Sequence, residues 1–349
     1  MDLRTHPDFD DHEEITFIAD PASGLQAIVA RHRIWNSPSV GGCRMRDYAG
    51  EAEALADVLR LSRGMTYKSV MAGLDYGGAK AVILGVPPAE GRAALFRAMG
   101  RAVDRFRGGF RTGVDVGLTP EDVVVMKTQT RFVAGAGAMA PAEATALGVR
   151  ESIKASLARR LGSDHLRSRR VAVQGLGKVG RRLAELLVAD GASVVAADVN
   201  RDSVAQARRD LGVEIVDPEA IHAQAAEVFS PCALGAVIND ASLGEIRATV
   251  VAGSANNQLA EPRHGAALAG RGILYAPDYI ANAGGLIAVA ADLEDKREDW
   301  IWQKLRGLGP SLTRVFERAE ALGLPTAAAA DRLARELIAE TGPGQRSAA

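Results

Sequence analysis

Cysteine is scarce. Only Cys43 and Cys232 occur among 349 residues, too few for a disulfide framework, and neither stands in a CxxC pair or a histidine-rich neighbourhood that would point to a metal. The expected compartment is a reducing cytoplasm, with no metal site. An excess of either charge is also lacking: 42 Lys and Arg face 43 Asp and Glu, a net charge of -1, which gives no general attraction for nucleic acid or an anionic membrane. Any anion site must therefore be local. No apolar run approaches the ~20 residues that a bilayer requires, and the longest weakly polar stretch, residues 281–291, reads as a buried helix. The first twenty residues are acidic and polar, against a secretory signal. Repeats and low-complexity tracts are missing too. What is present is the profile of a globular protein, 47% apolar and 24% charged, at a length that predicts two domains.

Residues 15–18 and 25–29 are short apolar runs around Asp20, Pro21 and Gly24, a hairpin signal. From Glu51, Leu55, Val58, Leu59 and Ser62 recur at helical spacing, which predicts a helix to about Tyr67. Residues 79–84 read as a strand and 89–106 as a helix. Near Gly135 the composition shifts to AGAGAMAPAEA, a hinge or linker, and the main boundary is placed there. Beyond it, apolar runs at 171–173, 194–197, 228–229, 250–252 and 273–275 alternate with helical segments, the pattern of a parallel sheet with helices on both faces. The expected fold is α/β in two domains: residues 1–138 for substrate and catalysis, and a doubly wound domain over 139–309. Helices from about 310 to 349 are expected to pack back on the first domain. The tail TGPGQRSAA reads as disordered.

The sharpest motif is Gly175-Leu176-Gly177-Lys178-Val179-Gly180, which follows an apolar strand, opens a helix ending near Gly191, and precedes a second strand that ends in Asp198. This is the dinucleotide fingerprint. Gly175 makes the tight turn, Gly177 lets the backbone approach a pyrophosphate, and Gly180 lets helix pack on strand. Asp198 can bind both ribose hydroxyls and would repel a 2′-phosphate, favouring NAD, although Arg201 leaves room for phosphate; the alternative for Asp198 is a helix cap.

Lys68 in GMTYK and Lys80 in GLDYGGAK lie among Gly, Ala, Met and Val beside glycine-rich turns. A lysine in apolar company is ordinarily a solvated side chain leaning off its surface. Two sharing a cleft would instead depress at least one ammonium pKa and create a general base. Asp115 in RTGVDVG sits in a loop at a strand end, either as a turn former or as a carboxylate able to exchange protons with a substrate nitrogen.

The blocks VGGCRM, LRLSRGMTYK, AGLDYGGAKAVI, TGVDVG, VQGLGKVG, SPCALGAVIND, VVAGSANNQL and GILYAPDYIANAGGLI occur in order over nearly the whole chain. By them the sequence resembles the amino acid dehydrogenase family that includes the leucine, valine and phenylalanine enzymes, with glutamate dehydrogenases as distant relatives. The resemblance implies reversible, NAD-dependent oxidative deamination of an apolar L-amino acid to the 2-oxo acid and ammonia. It implies that Lys68 binds the substrate carboxylate, Lys80 activates the attacking water, and Asp115 shuttles protons to and from the amino group. Gly41, Gly42 and Arg44 would line the substrate and nicotinamide side, Thr145 would bond the carboxamide, and Asn256 would face the cofactor and the reacting nitrogen. Cys232 and Ala233 would lie near the adenosine half, with Cys232 chiefly a small buried residue. A homo-oligomer built through the N-terminal domain and a cleft that closes during turnover are also implied.

For the side chain, Val40, Met65, Gly113, Leu286 and Val289 match the family's apolar pocket. Leucine-type members usually carry Ala at the position of Gly113 and Glu at that of Val114, whereas Gly resembles members that accept aromatic side chains. Cys43 stands where Thr is usual, and Ala288 where leucine-type members often carry Asn. Two other readings compete. A hydroxy-acid dehydrogenase would commonly use a histidine, and none of the six lies in a glycine-rich block; a non-catalytic NAD-binding regulator would not need Lys68, Lys80 and Asp115.

Overall fold

A computed structural model describes residues 3–35, 37–134 and 137–340. Gly135, at the centre of the expected hinge, and the tail 341–349 lie outside the described residues. The chain divides into two compact units, Met1–Ala138 with Val289–Arg297 and Ile338–Ala349, and Met139–Ala288 with Glu298–Leu337.

In the first unit, the predicted hairpin forms as β1 (Glu14–Asp20) and β2 (Leu25–Arg31), antiparallel across a turn in which Gly24 takes φ +71°. Strand β2 pairs antiparallel with β5 (Gly77–Leu84), whose residues are almost all buried, as befits the apolar run AKAVIL in a central position. The other edge of β5 takes two short parallel strands in succession, β3 (Ser39–Val40) and β4 (Cys43–Arg46). Gly41 and Gly42 join them, and the Ala81 N–H donates to the Gly42 carbonyl at 3.1 Å. β6 (Phe110–Arg111) runs parallel to β3. Helix α1 (Glu51–Met71), with Glu51 and Glu53 in its first turn, covers the face carrying Ile28, Ala30 and Val82. Helices α2 (Ala89–Asp104) and α3 (Pro120–Lys127) cover the opposite face around Ala79, Ala81 and Ile83. Thr119 and Asp122 close a capping box at the start of α3.

The second unit opens with α4 (Pro141–Leu161), which ends on Gly162 at φ +74°. Its sheet is wholly parallel and contains β7 (Arg170–Gln174), β8 (Ser193–Ala197), β9 (Glu214–Ile215), β10 (Val228–Pro231), β11 (Val250–Val251) and β12 (Leu274–Tyr275). The strand order is β12-β11-β10-β7-β8-β9, so the winding reverses between β7 and β10. This is the doubly wound α/β arrangement expected from the sequence, with a ligand crevice outside the strand ends at the reversal. Helices α5 (Lys178–Ala189), α6 (Arg201–Leu211), α7 (Asp240–Leu243), α8 (Pro262–Gly270) and α9 (Asp278–Ala281) connect the strands. α10 (Gly284–Leu293) realises the expected buried helix, and its last residues belong to the first unit, where Arg111 Nη1 donates to the Leu293 carbonyl at 2.7 Å.

One expectation is corrected. α11 (Glu298–Leu322) and nearly all of α12 (Thr326–Glu340) belong to the second unit, not the first. α11 buries Ile301, Leu305, Leu308 and Leu312 and packs along α4, where Leu308 reaches Gly148. Thr326 donates to the Tyr275 carbonyl at 2.6 Å, and Tyr279 to Asp331 at 3.1 Å, tying α12 to the end of the parallel sheet. Only Ile338 onward groups with the first unit. Among the described residues, no helix is long and apolar enough to cross a membrane.

Candidate active site

Strand alternation puts Gly78, Lys80 and Val82 on the face of β5 that α1 covers. A methyl on Gly78 would stand 2.1 Å from the Thr66 nitrogen and 2.4 Å from the Ser62 carbonyl, so the glycine lets helix and strand touch backbone to backbone. Lys80 is thereby drawn into the interior, its side chain 6% exposed, and its ammonium pairs with Asp115 Oδ2. A lysine this deep needs such a partner, because an unpaired buried charge is costly. Asp115 is held in turn by its neighbour's backbone, the Val116 N–H donating to Oδ1 at 2.6 Å. Burial alone would raise the carboxyl pKa of Asp115, but the Lys80 ammonium, Arg44 and that N–H outweigh it and hold the group below the usual carboxylate range.

Gly41 and Gly42 are close-approach positions. A methyl on Gly41 would overlap the Ala79 carbonyl at 1.6 Å, and one on Gly42 would stand 2.8 Å from Asp115 Oδ2. Arg44, next along this edge, reaches Asp115 Oδ1 at 3.5 Å and Asp57 Oδ2 at 3.2 Å. Cys43 is fully buried beneath, and burial pushes its thiol up to about 12, so it stays protonated. The structure thus brings together Gly41, Gly42, Arg44, Lys80 and Asp115 from three chain segments. Lys68 sits half-buried in the last turn of α1, two residues past Thr66, and Met65 is half-buried on the same helix. Val40 and Gly113 are buried, Gly113 with its carbonyl accepting from the Cys43 N–H; Val289 is half-buried in the part of α10 that belongs to this unit. Asp57 and Tyr48 were not singled out from the sequence. Neither an acid on a polar face of α1 nor a tyrosine four residues after Arg44 is a distinctive signal in the sequence.

In the second unit, Gly175 adopts φ +96° at the end of β7, and Gly177 caps α5. A methyl on Gly180 would stand 2.0 Å from the Gly175 carbonyl, and one on Gly175 2.8 Å from Ala233 across the β7–β10 crevice; around Gly177 there is open space. The turn at Gly175 and the close packing at Gly180 are those read from the motif. Lys178 is exposed and Val179 half-buried at the start of α5, whose N-terminal N–H groups and dipole suit a phosphate. Asp198 Oδ2 accepts from the Leu176 N–H at 2.5 Å and Oδ1 from the Asn200 N–H at 2.7 Å. The cap of α6 is Asn200, which accepts from Asp202 and Ser203, so the cap alternative for Asp198 falls away. Cys232 lies against Gly180, and burial raises its thiol pKa. Thr145, one turn into α4, donates its hydroxyl to the Pro141 carbonyl at 2.7 Å, leaving lone pairs that could accept an amide; Leu286 is buried on α10. Asn256 accepts at 2.8 Å from Asn282, a buried residue that sequence reasoning passed over within its run of Ala and Gly. Asn282 also donates to the Ser254 carbonyl at 3.1 Å.

A buried Lys–Asp pair thus lies in the first unit, and a glycine turn beside an acidic strand end in the second. Two family models cover most of the chain: Glu/Leu/Phe/Val dehydrogenase, dimerisation domain, over residues 12–135, and Glutamate/Leucine/Phenylalanine/Valine dehydrogenase over residues 136–208 and 198–306. The chain belongs to the Glu/Leu/Phe/Val dehydrogenase family. Among similar proteins, a leucine dehydrogenase of Thermoactinomyces intermedius is 42% identical over 333 residues, 94% of this chain and 91% of that protein. A phenylalanine dehydrogenase of the same organism is 44% identical over 334 residues, again 94% and 91%. The crystal structure of L-tryptophan dehydrogenase from Nostoc punctiforme superposes with a TM-score of 0.86 at 38% identity, covering 95% of this chain and 97% of that one. Relatives named for aliphatic and for aromatic amino acids thus stand at nearly equal identity to this chain.

Proposed function

We propose that this member of the family catalyses the reversible, NAD-dependent oxidative deamination of an apolar L-amino acid to its 2-oxo acid and ammonia. The observation that carries this reading is the buried contact between the Lys80 ammonium and Asp115, crowded by Gly41 and Gly42. It holds two groups of different basicity so that one proton can pass between nitrogen and carboxylate. Lys80, once uncharged, takes the proton of the attacking water. Asp115 delivers a proton to the departing nitrogen and recovers it in the reverse direction. Lys68 stays charged and anchors the substrate carboxylate. The residues assigned to the substrate's apolar side chain are Val40, Met65, Gly113 and Val289 of the first unit and Leu286 of the second.

The cradle of Gly175, Gly177 and Gly180 fits a dinucleotide, because Gly177 leaves room for a pyrophosphate that a side chain would fill. Leu176, Lys178 and Val179 offer the backbone around it, Asp198 the ribose partner, and Cys232, Ala233, Thr145, Asn256 and Arg44 the remaining contacts. When bound, the nicotinamide supplies the hydride acceptor. A negative charge at Asp198 favours NAD over NADP. The protein is read as a cytoplasmic homo-oligomer assembled through its first unit, which matches the model described as a dimerisation domain.

Following NADH consumption with ammonium and a panel of 2-oxo acids tests the proposal. Turnover that needs ammonium together with an apolar oxo acid is expected. Turnover without ammonium would instead indicate a hydroxy-acid enzyme, and none with any substrate would indicate a regulator.

A further inference from the structure

Arg44 does not end the chain of charges that starts at Lys80. Its Nη1 lies 3.2 Å from Asp57 Oδ2, and the same carboxylate oxygen accepts the Tyr48 hydroxyl at 2.8 Å. Tyr48 is itself buried, with the Arg46 guanidinium 4.4 Å from its ring centre and Arg46 paired to Glu53. The order Lys80, Asp115, Arg44, Asp57 alternates in sign, all four side chains being one-fifth exposed or less. At 3.5 Å the Arg44 Nε contact to Asp115 stands at the outer edge of hydrogen bonding, whereas its contact to Asp57 is shorter. The guanidinium thus lies closer to Asp57 than to Asp115, and it approaches Asp115 on Oδ1, beside the Val116 N–H, while Lys80 holds Oδ2.

We infer that Asp57, oriented by the Tyr48 hydroxyl, is a positioning residue of the active site: it draws Arg44 away from Asp115 and so sets how tightly Asp115 and Lys80 share their proton. This rests on the assignment of Lys80 and Asp115 to proton transfer. Asp57 itself touches neither Lys80 nor Asp115 in the contacts described above, and its effect runs through Arg44.

Replacing the anion with a neutral isostere fixes the sign. In Asp57→Asn, Arg44 has lost a counter-charge and turns to Asp115. One fewer negative charge nearby makes both Lys80 and Asp115 give up protons more readily. The acid limb of the kcat/KM profile for deamination is expected to move down by about 0.5 pH unit or more, and kcat to fall about 10-fold from the displaced carboxylate. Asp57→Glu, which restores the charge, should return the limb to its wild-type position. Tyr48→Phe leaves the charge unchanged, so a few-fold drop in kcat is expected with no movement of the limb. A second readout does not depend on turnover: trace acetylation of Lys80 by acetic anhydride, followed by mass spectrometry against pH, should show the amine becoming reactive at lower pH in Asp57→Asn. If the enzyme turns over no amino acid, the functional reading fails while the labelling still decides this inference. A folded Asp57→Asn variant whose Lys80 labelling profile matches wild type overturns it, as does a limb that moves equally in Asp57→Asn and Asp57→Glu.

Discussion

At Gly42 the site depends on a side chain that is missing. The β-carbon of an alanine there would stand 2.8 Å from Asp115 Oδ2, so the carboxylate must move away from Lys80. Gly42→Ala is expected to lower kcat at least 10-fold by displacing that carboxylate, a larger loss than its effect on thermal stability accounts for; a comparison of kcat with thermal unfolding checks this. Gly113 is different, because a methyl there meets only the Ala134 methyl at 3.4 Å, an ordinary contact. Gly113→Ala should fold normally and shift kcat/KM toward branched aliphatic over aromatic oxo acids by about 10-fold, within the ~1–3 kcal/mol that one methyl group is worth in an apolar pocket. Ratios measured on 4-methyl-2-oxopentanoate and phenylpyruvate decide the matter. These glycines, the two lysines and Asp115 could be singled out from the sequence because their neighbourhoods are unusual. Asp57 and Tyr48 could not, since an acid on a helix and a tyrosine in a loop look ordinary until the fold stacks them on Arg44.

Among the elements, the glycine-rich turn into α5 separates packing from ligand binding. Gly180→Ala places a methyl 2.0 Å from the Gly175 carbonyl, and should destabilise the second unit by about 1–3 kcal/mol as overpacking does. Gly177→Ala meets open space, so its unfolding midpoint should match wild type while NAD affinity falls. Urea titration beside fluorescence binding separates the two.

A buried imidazole pair under α1 makes that element sensitive to acid. His12 Nε2 donates to the Leu59 carbonyl at 3.0 Å, its Nδ1 accepts from the Asp10 N–H at 3.2 Å, and its ring stands 4.8 Å from that of His32. Burial first, then the nearby His32, lowers its pKa to about 4 from an ordinary 6.5. The unfolded chain therefore takes up the proton before the folded one. The stability that His12 contributes is present above about pH 6.5 and lost as pH falls toward 4. Urea midpoints should decline over that window, and less steeply in His12→Gln. Long elements with a clear period, such as α1, β5 and α5, were legible in the sequence. The two-residue strands β3, β6 and β9 carry too few side chains to show any period, and only their partners in the sheet define them.

For the molecule as a whole, the parallel sheet of the second unit follows from its repeated strand and helix runs, and the reversal between β7 and β10 gives the crevice its place. The destination of the C-terminal helices did not follow. The apolar face of α11 is plain in the sequence, but periodicity says only that a helix must bury that face, and it is α4 that receives it. Near-neutral net charge likewise leaves the polarity of the site to local pairs rather than to a long-range field. The central claim, that the Lys80–Asp115 pair does the proton work of amino acid deamination, is tested most directly by the kcat of Lys80→Met with NAD and the preferred L-amino acid. The account predicts a loss of about 100-fold or more with NAD binding unchanged; a kcat within a few-fold of wild type would contradict it.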